Sequence, residues 1–330
     1  MAREAEVFDL GYQHYTGPRE GRNRARIALF VNGVRTLLGI GRGGRAKIMP
    51  ALLFLASMAP AVVFVVVLVT LSDVVPGAED AADQFIPGPG DYYSIVGLVL
   101  IVFAAIMAPE LLVPDRRENV FPLYMVRPLT ATDYIVGRCL AFFAVSLVLA
   151  FAGQAVLQLG LILTADNIVD YARDNWLDVP RIVLVGAAIA LFATIASLAV
   201  SAFTTRRAYA SVIVIGFYLL SVTVVEGLTT EFCSFESTEV RENGRTTTTF
   251  TTTEECSTPT GRWAPYIGLL SMSAVIDNIN SIVFDVDEEF ASPEQEARDE
   301  LNDAWPIGVY ALFTGLPALV LWNRYRRMRL

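Results

Sequence analysis

The sequence is poor in the residues on which most catalytic and metal sites depend. Its 330 residues include one histidine, His14, and three cysteines. A single histidine excludes an H-E-x-x-H zinc site and most acid–base schemes built on imidazole. No stretch matches G-x-x-x-x-G-K-[ST], so the chain lacks a phosphate-binding loop of that type. We therefore assign it no catalytic residue, no metal ligand, no cofactor and no nucleic-acid partner.

Long apolar runs dominate what is present, since 54% of the residues are hydrophobic and only 18% are charged. A helix needs about 20 apolar residues to cross the hydrocarbon of a bilayer. Because backbone groups in lipid must be satisfied internally, such runs are expected to be helical, with Pro109 and Pro317 as kinks. The sequence predicts an all-α polytopic membrane protein with six transmembrane helices. They cover 49–71, 94–113, 135–163, 182–203, 208–228 and 305–322.

The distribution of arginine predicts the orientation of these spans. Nine of the 25 basic residues precede the first span, and further arginines stand between spans two and three, between spans four and five, and after span six. The connection after span one is acidic, with Asp73, Glu79, Asp80 and Asp83. By the positive-inside rule, both termini are expected in the cytosol and the protein in the plasma membrane.

The residues before the first span divide into two parts, and no cleavable signal pattern is found among them. Residues 1–21 predict an irregular cytosolic tail, and 22–48 predict an amphipathic elbow helix on the inner leaflet. Its apolar positions are Ile27, Phe30, Val31, Val34 and Leu38, with Arg22, Arg26, Arg35 and Arg42 around them. A soluble helix packed on a cytosolic partner would show the same pattern.

A long extracellular insertion, 229–304, is predicted between spans five and six. Asn243–Gly244 lies between Cys233 and Cys256 and favours a β-hairpin over 231–258. Both cysteines are expected on the oxidising side, which predicts a disulfide. A two-residue turn would leave them two positions out of register, so the arms must absorb that offset. The apolar segment 263–284 contains Asp277, Asn278 and Asn280, and predicts short interfacial helices rather than a seventh span.

Several polar residues lie inside the predicted spans. Glu110, Arg138 and Glu226 stand near span ends, where a structural role is favoured because long side chains reach the interface easily. Gln154 and Gln158 share one face of span three. With Glu226 they are weak candidates for a substrate path, and the glutamines could equally bond a neighbouring helix.

The loop between spans two and three, 114–134, has the composition of a protein interface. Phe121, Leu123, Tyr124, Met125 and Val126 form an apolar and aromatic group flanked by arginines. Aromatic residues, Met and Arg are enriched at interface cores. The alternative is that these side chains lie in the inner headgroup belt.

The chain resembles the permease subunits of ABC-2 type ABC transporters over nearly its whole length. The similarity lies in "NVFPLYMVRPLTATDYIVGR" (119–138), in "YTGPREG" (15–21) and in the order of the spans. The matching residues of the loop are Leu123, Arg127, Pro128, Thr130, Tyr134, Gly137 and Arg138.

The resemblance implies a function for this loop. It would form a coupling helix that docks on a separate ABC ATP-binding subunit carrying ATP and Mg²⁺. A second permease, a copy or a paralogue, would complete the pathway, and export is the expected direction. The coupling residues would be Phe121, Leu123, Tyr124, Met125, Arg127, Pro128, Thr130 and Tyr134.

Two other function classes remain open on the sequence alone. One is a six-span scaffold or sensor that transports nothing. The other is an ion-coupled secondary transporter with Glu110 or Glu226 as the proton-linked carboxylate.

Overall fold

A computed structural model describes most of the chain. The described residues are 21–74, 88–120, 124, 129–165, 167–230, 259–284 and 301–327, together with the backbone of four strands within 232–257. The predicted tail 1–20, His14 and the acidic residues 79–83 lie outside this part of the chain.

The described residues are mainly helical. The helices are α1 (Gly21–Leu37), α2 (Arg45–Val74), α3 (Pro89–Arg117), α4 (Ala131–Thr164), α5 (Ile168–Asp174), α6 (Asp178–Ser201), α7 (Arg207–Thr229), α8 (Ala264–Gly268), α9 (Met272–Phe284) and α10 (Ala304–Arg327). Six of them, α2, α3, α4, α6, α7 and α10, are long and apolar enough to cross a membrane. The number of such helices agrees with the six predicted spans, and the bent pair formed by α8 and α9 would be a seventh only if it crossed the membrane. Pro109 and Pro317 lie inside continuous helices and not in loops.

The six long helices form a bundle with a buried centre and an exposed periphery. Most of α3 and α6 and half of α4 are buried, whereas α2, α7 and α10 are largely exposed. Many valine, leucine and isoleucine side chains are exposed on these helices, as expected for a surface that meets lipid tails.

Glycine allows α2 and α4 to approach closely. A Cβ added at Gly153 would overlap the Tyr92 hydroxyl and the Ser57 carbonyl oxygen, and one at Gly160 would overlap Val65. The Tyr92 hydroxyl donates to the same Ser57 carbonyl. Small residues at helix contacts are the usual means of close packing in membranes.

The segment that was expected at the interface instead forms a bent helix pair inside the bundle. A 3₁₀ turn, Gly261–Trp263, leads into α8, and α9 follows at an angle of 82°. α9 packs against α3, α6, α7 and α10. The segment contains short helices, as predicted, and α9 packs among the long helices; its position relative to the membrane interface stays a prediction.

The polar residues of α9 can be buried because α3 provides partners for them. Asn280 Nδ2 donates to the Gly90 carbonyl oxygen at 2.6 Å, and Ser94 Oγ donates to Asp277 Oδ1 at 2.8 Å. Gly97, one turn further along α3, receives Ile276. These bonds offset part of the penalty for burying Asn280 and Asp277, while Oδ1 of Asn280 has no hydrogen-bond partner among the described residues.

Both ends of the bent pair lie at the same end of the bundle. Thr260 Oγ1 donates to the Leu228 carbonyl oxygen at the C-terminal end of α7, and Asn280 contacts Gly90 at the N-terminal end of α3. Because α7 and α3 run in opposite directions, these two points are at one level. The bent pair therefore begins and ends on the same side of the bundle. α1 and the C-terminal end of α10 lie together on the opposite side.

Four short strands stand between α7 and α8. They are β1 (Phe232–Phe235), β2 (Thr238–Glu242), β3 (Arg245–Thr249) and β4 (Glu254–Ser257). β2 pairs with β3 in antiparallel fashion across a two-residue connection, and β1 pairs with β4 so that Cys233 faces Cys256. Two residues join β1 to β2 and four join β3 to β4, which provides the two-residue offset between the pairs. The cysteine side chains lie outside the described part, so the disulfide stays a prediction.

Candidate functional site

Arginine residues and three tyrosines, Tyr124, Tyr134 and Tyr325, gather at one end of the bundle, which we call the basic end. It contains α1, the C-terminal ends of α3, α6 and α10, and the N-terminal ends of α4 and α7. Of the predicted coupling residues, Tyr124, Thr130 and Tyr134 are described and lie here. The other five, Phe121, Leu123, Met125, Arg127 and Pro128, lie outside the described residues.

Thr130 is the N-cap residue of α4, so its main role is to fix the start of this helix and not to contact a partner. Its hydroxyl accepts from the Asp133 N–H, and the Asp133 carboxylate accepts from the Thr130 N–H, which together form a capping box. The carboxylate also lies where the dipole of α4 favours negative charge. The loop therefore ends in a fixed geometry.

The same aspartate fastens α1 to α4. Arg22 Nη2 lies 2.6 Å from Asp133 Oδ2, and Arg26 Nη2 lies 2.7 Å from Asp133 Oδ1. Each arginine is about half exposed, but the carboxylate is 8% exposed, so the pairs are better shielded than ordinary surface pairs. The sequence predicted arginines around an elbow helix on the inner leaflet, and the structure shows that two of them, Arg22 and Arg26, bind Asp133 of α4.

α1 packs on α4 through small residues. Leu29 lies over Gly137, and Gly33 lies against Ala141, so that the face Leu29–Gly33–Leu37 is buried. Ile27 and Val31, which the sequence placed on the apolar stripe, remain exposed. α1 thus has one apolar face against the bundle and a second one available to lipid or to a partner.

A stack of three tyrosines connects the loop to the spans. The ring centroids of Tyr124 and Tyr134 are 5.6 Å apart, and those of Tyr134 and Tyr325 are 5.8 Å apart. Tyr124 is half-buried in the loop, Tyr134 is fully buried in α4, and Tyr325 is fully buried near the end of α10. Tyr134 therefore faces the interior of the bundle, so its contribution to a docking surface is indirect.

A buried ion pair extends this stack to α3. Asp115 Oδ2 accepts from the Tyr134 hydroxyl at 2.7 Å and from Arg138 Nη2 at 2.6 Å. Arg138 is 2% exposed, and its guanidinium lies 5.5 Å from the centroid of the Tyr134 ring. Nε and Nη1 of Arg138 have no hydrogen-bond partner among the described residues. Arg138 was expected to reach the interface, and the structure instead buries it at the junction of three helices.

A second connection at the basic end, Ala202–Arg206, is held by two arginines. Arg116 Nη1 and Arg324 Nε both donate to the Ala202 carbonyl oxygen, and Arg116 also reaches that of Thr204. The Arg324 guanidinium lies 4.4 Å from the centroid of the Phe203 ring. The ends of α3, α6 and α10 are thereby fixed relative to one another.

Glu110, considered as a proton carrier, lies between two arginines. Its Oε2 is 3.2 Å from Arg42 Nη1, and its Oε1 accepts from Arg207 Nη1. Arg42 stands just before α2, so the carboxylate connects the starts of α2 and α7 to α3. Both carboxylate oxygens of Glu110 are therefore occupied by arginines, which makes Glu110 a structural anchor.

The three weak substrate-path candidates do not converge. Glu226 is exposed near the far end of α7, whereas Gln154 is 1% exposed and Gln158 is half-buried in α4. The Gln154 amide and the Gln158 nitrogen have no hydrogen-bond partner among the described residues. Neither the path nor the helix-bonding interpretation is confirmed.

No sequence pattern specifically predicts the contacts that define this site. Asp115 follows Pro114 at the end of a span, and Tyr325 lies among the arginines after the sixth span, so neither is a candidate in the sequence analysis. The available signal was weak: a carboxylate, a tyrosine and an arginine, all near the basic ends of adjacent spans. A comparison with known sequences adds no family, because no protein-family model matches the chain and no curated protein matches it.

Proposed function

We propose that this chain is the membrane-spanning permease subunit of an ATP-driven ABC transporter, with export as its direction. Two such permeases would form the substrate pathway, powered by separate ATP-binding subunits that dock at the basic end. The observation that carries the proposal is the tyrosine stack. The stack joins the 114–134 loop, through Tyr124, to α4 and α10. The bond between Tyr134 and Asp115 extends this connection to α3.

This geometry is what an external motor would need. A force applied to a flexible loop on the surface does little to the spans, whereas a force on Tyr124 acts on a packed ring that is buried between two helices. For ATP to drive transport, nucleotide binding must favour one of two bundle arrangements through differential contacts at this loop. Rings packed in a core transmit such a shift because cores resist continuous deformation.

The remaining parts fit the same scheme. The basic end would face the cytosol, and α1 would act as an elbow helix whose exposed face, with Ile27 and Val31, lies in the inner leaflet. The strands and the bent helix pair would form an extracellular cap over the exit. A Cys233–Cys256 disulfide would stabilise that cap by about 3 kcal/mol on the loop-entropy model.

The secondary-transporter alternative needs a carboxylate that carries a proton. Glu110, one of its two candidates, is instead paired with Arg42 and Arg207. A non-transporting scaffold differs from a permease in one measurable property, the presence of a stimulated ATPase partner. The tests below therefore measure that property.

The test changes the loop and leaves the bundle intact. Arg127→Glu with Tyr124→Ala removes a charge and an aromatic ring from the proposed docking surface. We expect the double variant to insert and fold as the wild type does, but to lose the ATP-binding subunit on purification in mild detergent. The readouts are mass-spectrometric identification of a co-purified subunit with a phosphate-binding loop, and the ATPase activity of the complex.

A matched control makes the same chemical changes elsewhere on the basic end. Arg326→Glu with Tyr209→Ala alters an exposed arginine and an exposed tyrosine, and should retain the partner. Full ATPase stimulation in the loop variant would overturn the coupling role. If the wild-type chain purifies with no ATP-binding subunit under conditions that preserve the fold, the scaffold alternative is supported instead.

A further inference from the structure

An apolar groove lies between α6, α7, α9 and α10, away from the tyrosine stack. It encloses about 270 Å³. Aromatic rings form much of its wall: Phe192, Phe203, Phe217 and Phe313. Met272, at the start of α9, also lines it, together with Val320 and Pro317 of α10. Phe203 and Phe217 are each 52% exposed, so the groove opens sideways from the bundle.

The groove covers about half the thickness of a bilayer. From Phe192 to its end at Ser201, α6 rises by roughly 14 Å at 1.5 Å per residue, and Phe203 extends the wall beyond the helix. The hydrocarbon core is about 30 Å thick, so this length matches one leaflet. Met272 is the first residue of α9. Its backbone N–H donates to Ser221 Oγ in the middle of α7. The groove thus runs from the turn between α8 and α9 to the basic end.

Positive charge is concentrated where the groove meets the basic end. Arg324 follows Val320 by one helical turn, and its guanidinium stacks on Phe203, which itself lines the groove. Its bond to the Ala202 carbonyl uses one of the five N–H donors of an arginine. Arg327 is exposed and lies seven residues after Val320, hence on the same face of α10.

We propose that this groove binds one acyl chain of an anionic phospholipid from the basic-end leaflet, with the phosphate against Arg324 and Arg327. Apolar walls one leaflet deep and a cationic rim at one end match the chemistry of such a lipid. A second copy of the chain would cover the apolar wall but would leave the cationic rim without a counter-charge, and the test below distinguishes it. The site does not depend on the proposed transport function.

The experiment fills the groove and measures retained lipid. The full chain is purified in mild detergent, exposed to equal amounts of phosphatidylglycerol and phosphatidylcholine, and analysed by native mass spectrometry. We expect the wild type to retain phosphatidylglycerol preferentially. Ala196→Phe, which places a ring inside the groove, should lose that retention. Ala311→Phe is the matched control, because Ala311 is exposed on α10 and does not line the groove.

A second variant tests the rim without changing the apolar wall. Arg327→Gln should lower the preference for phosphatidylglycerol by roughly fivefold and leave the total bound lipid similar, as expected for one arginine at a membrane surface. Equal retention by Ala196→Phe and Ala311→Phe would overturn the proposal. A change in oligomeric state in Ala196→Phe alone would assign the groove to contact between copies and would also overturn it. If size exclusion shows that Ala196→Phe unfolds, the proposal is decided by whether Arg327→Gln lowers the preference for phosphatidylglycerol.

Discussion

At the scale of single residues, the basic end is organised by two buried or nearly buried aspartates. Asp133 accepts bonds from Arg22 and Arg26, and Asp115 accepts bonds from Tyr134 and Arg138. A carboxylate or guanidinium removed from water is tolerated only when it is paired, and loss of one partner leaves the other charge uncompensated. The two aspartates therefore differ from the exposed ion pairs elsewhere in the chain.

Asp115→Asn should destabilise the protein by about 3 kcal/mol, because it leaves Arg138 buried without its counter-charge. Thermal unfolding in detergent measures the effect. Asp178→Asn, which removes an exposed pair with Arg181 at 3.6 Å, is the control and should change stability by less than about 1 kcal/mol. Adding Arg138→Met to Asp115→Asn should recover part of the loss. Additive effects of the two substitutions would contradict a direct pair.

At the scale of elements, the sequence predicts helices well and their mutual rotation poorly. Length and apolar composition determine the six spans, because only helices and closed β-barrels satisfy the backbone in lipid and an apolar run of about 20 residues has the length of a spanning helix. Which face of α4 meets α3 is set by packing between distant segments, so the burial of Tyr134 and its bond to Asp115 could not be inferred from the loop sequence. The same reason explains Asn280, whose partner, the Gly90 carbonyl, is 190 residues away.

Gly153→Ala should destabilise the contact between α2 and α4. The added methyl group would overlap the Tyr92 hydroxyl and the Ser57 carbonyl, and the backbone atom cannot move away cheaply. The loss should exceed the gain of about 1 kcal/mol that alanine normally brings to a helix interior. Gly216→Ala is the control, since a Cβ there meets open space. Equal thermal stability of the two variants would show that the close approach is not present in solution.

The attachment of α1 can be tested by hydrogen exchange. Arg22→Gln together with Arg26→Gln removes both arginine partners of Asp133, so backbone exchange over Gly21–Leu37 should rise several-fold while that of α6 stays unchanged. Arg35→Gln, at an exposed position on the same helix, should leave exchange as in the wild type. Unchanged exchange in the double variant would mean that the apolar contacts of Leu29 and Leu37 suffice to hold α1.

At the scale of the whole molecule, the bent helix pair determines whether the chain crosses the membrane six or seven times. Both ends of the pair lie level with the N-terminal end of α3. In a variant with Cys233 and Cys256 replaced by serine, cysteines at Pro259 and Asn302 should therefore react with an impermeant maleimide from the same side in intact cells. A cysteine at Thr205, at the basic end, should react only after permeabilisation. Labelling of Pro259 and Asn302 positions from opposite sides would make the pair a seventh span.

The central claim is that a separate ATP-binding subunit drives this bundle through the loop that contains Tyr124. The most direct test places a photo-crosslinking amino acid at position 124 in the native host, with the exposed position 209 as the control. The account predicts a crosslinked adduct between this chain and a protein with a phosphate-binding loop at position 124, and none at position 209. Crosslinks from position 124 only to lipid, or the same adduct from both positions, would contradict it.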